Sequence, residues 1–142
     1  MALEIEERIV AAGLRRTRDR VQVLAFLLDA SRPFTHQELS RRLSDMDRVT
    51  LYRVLDALES GGLVHRIQGT DGSWRYRAHG EETAGCPGGH PHFLCLRCGR
   101  MTCLMDQSLP WVEVPEGAKV EDKQFVVSGL CPECAAATDD ED

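Results

Sequence analysis

The chain lacks the features that mark several large classes of protein. No apolar run approaches the roughly 20 residues that a membrane-spanning helix requires. Residues 1–7 are acidic and have neither the basic start nor the apolar stretch of a secretory signal peptide. The His-Glu-x-x-His pattern, which supplies the general base in many zinc enzymes, is also absent. We therefore expect a cytoplasmic protein that neither enters a membrane nor acts as an enzyme.

Lysine is almost absent, and the positive charge that the chain has is unevenly placed. Residues 8–77 contain 13 arginines, no lysine and 8 acidic residues, which gives a net charge of +5. Residues 78–142 contain 4 basic and 12 acidic residues, so this half is strongly acidic although the whole chain carries only −6. Charge asymmetry between halves is typical of a chain in which one half binds a polyanion. It also indicates a domain boundary near residue 78.

Apolar residues at helical spacing predict four helices before residue 62. Thr17 is in position to cap the second, and Asp47 the fourth. Thr35-His-Gln-Glu38 has the form of a capping box, in which the Thr hydroxyl and the Glu carboxylate accept from the free amides at the start of the third helix. Glycines mark the ends of the first and fourth helices, at Gly13 and at Gly61-Gly62.

After the fourth helix the hydrophobic pattern becomes alternating, which predicts a β-hairpin. Its strands contain His65 and Trp74, and Gly69-Thr-Asp-Gly72 is a hairpin turn between them. Helices followed by a hairpin are the order of a winged helix-turn-helix, whose last helix enters the major groove of DNA. The predicted fold class is α+β: a winged-helix DNA-binding domain in residues 1–78, a hinge in 79–89 and a second small domain after it.

The face of the fourth helix that lies off the apolar stripe contains Thr50, Tyr52 and Arg53. A tyrosine ring contacts thymine methyl groups, and an arginine binds a phosphate or the edge of guanine. We predict that these three residues bind DNA, and that Arg15 or Arg16, ahead of the second helix, contacts phosphate or the minor groove. An ordinary amphipathic helix with solvated charges is the alternative.

Six cysteines are present, and four of them form two Cys-x-x-Cys pairs: Cys95 with Cys98, and Cys131 with Cys134. Four thiolates around one ion give the closed tetrahedral site that suits Zn²⁺. The gap of 32 residues between the pairs requires a piece of sheet to bring them together. The alternative is two disulfides or a redox pair. We predict a structural zinc in a domain of residues 90–135, followed by an acidic, disordered tail at 136–142.

Four stretches of this sequence resemble the ferric uptake regulator (Fur) family. They are Gly13-Leu-Arg-Arg-Thr-Arg-Asp-Arg20, Val49-Thr-Leu-Tyr-Arg-Val-Leu55, His90-Pro-His-Phe-Leu-Cys-Leu-Arg-Cys-Gly99 and Phe125-Val-Val-Ser-Gly-Leu-Cys-Pro-Glu-Cys134. The resemblance implies a homodimeric, metal-dependent transcriptional regulator with a winged-helix domain and a small α/β dimerisation domain. It also implies a second, exchangeable metal at the domain junction, which fixes the DNA-binding domains in a DNA-compatible arrangement.

Ligands for that regulatory metal should come from both sides of the junction, because only then does metal binding bias the hinge. His90 and His92 lie two apart on a predicted strand beside the first cysteine pair, and His65 lies on the first hairpin strand. In the zinc-sensing (Zur-like) branch, which this chain resembles most, a cysteine is common where His79 stands here, so His79 is the predicted fourth ligand beside His65, His90 and His92. Cys86 is an alternative fourth ligand. Nitrogen and sulfur ligands favour Zn²⁺, although Fe²⁺ also accepts imidazole.

The sequence thus predicts a zinc-responsive repressor that binds an inverted-repeat DNA operator as a homodimer, with one structural and one regulatory zinc per chain. An Fe(II)- or peroxide-responsive regulator of the same family is the first alternative. A zinc-ribbon interaction module that does not bind DNA is the second. His36 is predicted to be only a first-turn helix residue, and Cys103 a small core residue on a strand at 100–105.

Overall fold

The computed structural model of the chain describes residues 2–30, 32–78, 90–121 and 123–139. Within these ranges the helices are α1 (Ala2–Ala11), α2 (Arg18–Ala30), α3 (His36–Arg42), α4 (Arg48–Ser60) and α5 (Pro132–Asp139). The strands are β1 (Phe34–Thr35), β2 (Val64–Gln68), β3 (Trp74–Ala78), β4 (His92–Cys95), β5 (Met101–Cys103) and β6 (Val126–Gly129). None of the described helices is long and apolar enough to span a bilayer.

Helices α2, α3 and α4 begin where the predicted capping residues place them. The Thr35 side chain accepts from the amide of Glu38 at 3.1 Å, and the Glu38 carboxylate accepts from the amide of Thr35 at 2.9 Å, which completes the capping box. Asp47 accepts from the amide of Thr50 at 2.7 Å at the start of α4. Thr17 Oγ1 accepts from the amide of Arg20 at 3.2 Å, ahead of α2. Local hydrogen bonds therefore set the starts of these three helices.

A single core holds these helices and the hairpin together. Leu24 and Leu27 of α2, and Leu51 and Leu55 of α4, are almost completely buried in it, together with Ile9 of α1. The three-stranded sheet that closes this core has the order β1-β3-β2, with both pairs antiparallel. The prediction of a winged helix-turn-helix is confirmed, and strands β2 and β3 with their turn are called the wing below.

The C-terminal half is a second three-stranded sheet with the order β5-β4-β6. Strand β4 pairs antiparallel with β5 and parallel with β6, and α5 follows β6 directly. Its buried centre is small: Leu94 and Met101 pack against Val126, and the fourth member, Ile67, comes from the wing. The two halves therefore share an apolar contact, which positions the wing against the second sheet.

The structure corrects three boundaries. His90 lies before β4, which begins at His92, and the strand expected at 100–105 covers only Met101–Cys103. The tail expected to be disordered from residue 136 is helical as far as Asp139. Pro132 suits the first position of a helix, and the alanines at 135–137 have the highest helix propensity. The acidic composition that favoured disorder begins only after them.

Candidate functional site

The four cysteines of the two pairs converge at one end of the second sheet. Cys95 ends β4, Cys98 lies in the turn after it, and Cys131 and Cys134 flank the start of α5. Parallel pairing of β4 with β6, with Cys95 opposite Gly129, brings the second pair beside the first. All four Sγ atoms lie within 4.8 Å of one another. The sheet therefore bridges the 32-residue gap as the spacing requires.

These four thiols have the geometry of a tetrahedral zinc site. Zn–S bonds of about 2.3 Å separate the sulfur atoms of such a site by about 3.8 Å, and Cys98 Sγ lies 4.0 Å from Cys131 Sγ. Among the described cysteines there is no disulfide. The donor set is all thiol and closes the coordination sphere, so the residues fit a structural Zn²⁺ and leave no position open for a substrate.

Backbone amides prepare the first of these thiols to bind a cation. The amide of Cys98 donates to Cys95 Sγ at 3.4 Å, and this hydrogen bond is the main reason that the pKa of Cys95 is lowered to about 6. The pKa of Cys134 is raised, chiefly by the neighbouring Cys131 thiol. Four crowded sulfur atoms without a cation cannot all ionise, and a bound Zn²⁺ removes that conflict.

A second group of metal-type ligands lies at the other end of β4. His90, His92 and Cys103 place one donor atom each within 4.8 Å of the others. His92 is directly opposite Cys103 in the β4–β5 pairing, and the rings of His90 and His92 have centroids 4.7 Å apart. Both histidines are buried. Two imidazoles and one thiol leave the fourth tetrahedral position open.

The nitrogen atoms of these histidines support the assignment of a metal site. His90 Nδ1 pairs with the carbonyl of Pro91 at 3.1 Å, but His90 Nε2 and both ring nitrogens of His92 have no hydrogen-bond partner among the described residues. Buried polar atoms are normally satisfied, and an unsatisfied one is costly. A cation bound by His90 Nε2 and by the lone-pair nitrogen of His92 removes much of this cost, so the residues fit a second metal ion.

The structure groups the predicted regulatory ligands differently from the sequence analysis. Cys103, predicted to be only a small core residue, joins His90 and His92, whereas His65 on β2 is not a member of this group. His79 and Cys86 lie outside the described residues. The signal that identifies Cys103 is the register of the β4–β5 hairpin, which puts it opposite His92. The sequence shows the cysteine, but the register in which β4 pairs with β5 could not be predicted from it.

The residues predicted to bind DNA are accessible on the N-terminal half. Tyr52 and Arg53 are exposed on α4, and Thr50 is partly buried beside the Asp47 cap. Arg15 and Arg16 are exposed ahead of α2. The side chain of Arg16 forms an exposed ion pair of 3.3 Å with Glu6.

His36 differs from its prediction as a plain first-turn residue. Its ring lies flat against the ring of Tyr52, with centroids 3.6 Å apart and planes 9° from parallel. Burial lowers its pKa, so the imidazole is neutral near pH 7. Together with Arg66, whose guanidinium lies 4.4 Å above the ring of Trp74, this pair borders a groove of about 440 Å³ between α4 and the wing.

Comparison with known proteins agrees with this arrangement. Residues 11–128 match the sequence profile of the ferric uptake regulator family. The chain is 28% identical over 143 residues to the ferric uptake regulation protein of Legionella pneumophila, covering 93% of this chain and 99% of that protein. It is 30% identical over 132 residues to the zinc uptake regulation protein of Mycobacterium tuberculosis, covering 87% and 97% respectively.

A solved structure, a zinc uptake regulator complexed with zinc and DNA, has the same fold. Its TM-score is 0.64 at 19% identity, covering 97% of this chain and 95% of that chain. The family profile covers most of the sequence, including α2 to α4, the wing, the two histidines and the first cysteine pair. The chain therefore belongs to the ferric uptake regulator family.

Proposed function

We propose that this protein is a zinc-responsive repressor of transcription. Family membership makes it a metal-dependent, DNA-binding transcription regulator and not an enzyme. The observation that carries the finer proposal is the presence of two different ligand groups on one sheet: a closed group of four thiols, and an open group of two imidazoles and one thiol. The closed group suits an ion that stays bound, and the open group suits one that exchanges.

The four-cysteine group, Cys95, Cys98, Cys131 and Cys134, would hold the structural zinc. Zinc bound there joins β4 to α5 and completes a domain whose apolar centre is small. Because a small domain gains much of its folding free energy from such an ion, zinc loss would unfold this half.

The open group, His90, His92 and Cys103, would hold the regulatory zinc. Its donors are nitrogen and sulfur with no carboxylate, which favours tetrahedral Zn²⁺ over the oxygen-rich octahedral coordination that suits Mn²⁺. The fourth ligand is proposed to come from His65, His79 or Cys86. The relative named as a zinc uptake regulation protein is consistent with this choice of metal.

The regulatory group can act on DNA binding through the contact between β4 and the wing. Leu94 of β4 packs against Ile67 of β2. Gln124 donates to and accepts from the backbone of Gln68, at 2.6 and 3.1 Å, and the hydroxyls of Thr70 and Ser128 are hydrogen-bonded. A metal that fixes β4 therefore biases the position of the wing, because it stabilises the arrangement in which these contacts form.

Dimerisation of the second domain is supported by its exposed apolar surface. Strand β6 lies at the edge of its sheet, with Phe125 and Val127 partly exposed. Trp111 is 82% exposed, and Val112 and Val114 lie in the same segment beside a cavity of about 270 Å³. Contiguous exposed apolar residues and an open sheet edge are typical of a surface that another chain covers. Two copies joined there present two α4 helices to an inverted repeat.

The decisive experiment separates the two metal groups. Full-length protein is loaded with zinc, and its affinity for an operator selected from random duplexes is measured by fluorescence anisotropy. We expect His92→Ala and Cys103→Ser to lose zinc-dependent binding and one of two zinc ions per chain, while they remain dimeric. His65→Ala, His79→Ala and Cys86→Ala then identify the fourth ligand.

Two results would overturn this proposal. If Fe²⁺ restores operator binding to protein stripped at the open group and Zn²⁺ does not, the regulator responds to iron. If zinc-loaded protein prefers no duplex over random DNA, the proposal of a zinc-responsive repressor is wrong. The second half of the chain would then act as a zinc-binding interaction module.

A further inference from the structure

The stacked pair of His36 and Tyr52 joins two helices at the surface that faces the groove. His36 is the first residue of α3 and is only 8% exposed, whereas Tyr52 lies one turn into α4 and is 50% exposed. The centroid distance of 3.6 Å and the angle of 9° mean that one face of the tyrosine ring is covered by the imidazole. The other face and the hydroxyl end are left for a ligand.

The imidazole is itself held in place by the start of α4. His36 Nε2 lies 3.2 Å from the carbonyl oxygen of Arg48. A carbonyl oxygen only accepts, so Nε2 must donate, which assigns the proton to that nitrogen. Arg48 is the first residue of α4 and follows the Asp47 cap. The ring that supports Tyr52 is therefore tied to the same helix that carries Tyr52.

An exposed aromatic side chain on a helix normally populates more than one rotamer, and a ligand must select one of them at an entropic cost. A flat partner on one face removes that cost in advance. We propose that His36 is a positioning residue for sequence readout: its ring restrains Tyr52 so that the free face of the tyrosine meets one base position in the major groove. This inference rests on the proposed DNA-binding function of α4.

The chemistry of the pair indicates which base edge is read. A tyrosine ring offers apolar surface, and the apolar feature of the major groove is the C5-methyl group of thymine. Arg53, next along the helix and exposed, is available for phosphate or a guanine edge. The ligand is therefore double-stranded DNA with a thymine at the position facing Tyr52. Loss of the stack is expected to weaken binding by about three- to tenfold.

The experiment compares His36→Ala, which removes the stack, with His36→Phe, which keeps a flat ring but removes the Nε2 donor. Gln37→Ala, the exposed neighbour on the same helix and groove, is the matched control. Affinity of zinc-loaded protein is measured for the selected operator and for duplexes changed at each base pair. We expect His36→Ala to lose about three- to tenfold on the operator. It should also lose selectivity at the same position as Tyr52→Ala, with no further loss in the double variant.

His36→Phe should restore most of the affinity and the selectivity at that position, and Gln37→Ala should change neither. If His36→Ala weakens binding evenly at all positions and to random duplex, or if its effect adds fully to that of Tyr52→Ala, His36 has only a structural role and the proposal is wrong.

A second measurement does not need DNA and so separates this inference from the repressor proposal. The chain has two tyrosines, and the other, Tyr76, is buried. In the free protein, NMR signals of the Tyr52 ring should show a ring-current shift that is lost in His36→Ala and largely kept in His36→Phe. Absence of that shift in the wild type would overturn the stack even if operator binding is normal. If the ring-current shift of Tyr52 is present but the protein prefers no operator, both the proposed role of His36 in base recognition and the proposed repressor function are wrong.

Discussion

The guanidinium of Arg75, on the second strand of the wing, donates a hydrogen bond of 3.0 Å to the carbonyl oxygen of Gly99. Gly99 follows the cysteine pair that ends with Cys98. The same guanidinium binds both carboxylate oxygens of Asp71, in the wing turn, at 3.1 Å. Arg75 is only 2% exposed and Asp71 is 37% exposed, so the guanidinium end of these charge-assisted hydrogen bonds is shielded from solvent. The wing tip and the turn that contains the first cysteine pair are thus joined by one buried side chain.

Replacement of Arg75 is expected to destabilise the protein more than replacement of any exposed arginine in the wing. Arg75→Met keeps the apolar stem and removes the charge-assisted bonds, and the free energy of unfolding should fall by about 2 kcal/mol. Arg66→Met is the matched control, because Arg66 forms an exposed ion pair of 3.0 Å with Glu59 and lies over the exposed ring of Trp74. Such exposed contacts together contribute about 1 kcal/mol. Urea unfolding at constant zinc measures both. Equal losses of unfolding free energy in the two variants would show that the hydrogen bonds of Arg75 do not stabilise the protein more than the exposed contacts of Arg66.

The buried position of His36 predicts a dependence of stability on pH. Burial lowers its pKa in the folded protein below the ordinary value of 6.5. The unfolded chain therefore binds the proton more readily, and the stability gained from the neutral, stacked ring is present above that ordinary value and is lost as the pH falls through the lower folded value. The stability advantage of wild type over His36→Phe should accordingly shrink between pH 7.5 and 5.5. An advantage that grows on acidification would contradict the neutral stack.

Loss of a single thiol from the four-cysteine group should remove its zinc and unfold the second domain. Cys95→Ser is expected to lose one zinc ion per chain and the dimer, because zinc binding and folding are coupled in such sites. Cys103→Ser is the control, and it should keep the structural zinc and the dimer. Elemental analysis after mild chelation and light scattering on a sizing column test both. A dimeric Cys95→Ser protein with full zinc content would disprove the structural assignment.

The parts of the fold that sequence reasoning predicted correctly are those determined by neighbouring residues. Thr35 and Glu38 satisfy each other's amides within one turn, and Asp47 caps α4 without help from the rest of the molecule. The wing turn likewise depends on Gly72, whose φ of 86° disfavours other residues. These local signals do not depend on tertiary contacts, so the winged helix can be predicted from the sequence.

The parts that were missed depend on residues far apart in the chain. Cys103 becomes a candidate ligand only when the hairpin register places it opposite His92, and a shift of one residue would turn it to the other face. His36 acquires its role because α3 packs on α4 and brings its ring to Tyr52, 16 positions later. The spacing of residues along one strand or helix predicts neither the pairing of Cys103 with His92 nor the stacking of His36 on Tyr52.

Operator recognition should depend on the two-fold symmetry of a dimer. Two α4 helices in a dimer should read an inverted repeat with half-sites about one helical turn, or roughly 10 base pairs, apart. Arg53→Ala should cost about 1–3 kcal/mol on that operator if the guanidinium binds a guanine edge with two hydrogen bonds, and selectivity should relax at that base alone.

The contrast between a base contact and a phosphate contact is measurable with the same variant. If Arg53 contacts phosphate, Arg53→Ala should weaken binding equally on operator and random duplex, and the dependence of log Kd on log salt should become shallower by about one unit per protomer. Arg16→Ala is the matched variant for the phosphate case, because Arg16 is exposed ahead of α2 and is predicted to contact phosphate. Selection from random duplexes by zinc-loaded wild type supplies the operator. Enrichment of a single site without an inverted repeat would contradict the prediction that two α4 helices of a dimer bind the operator.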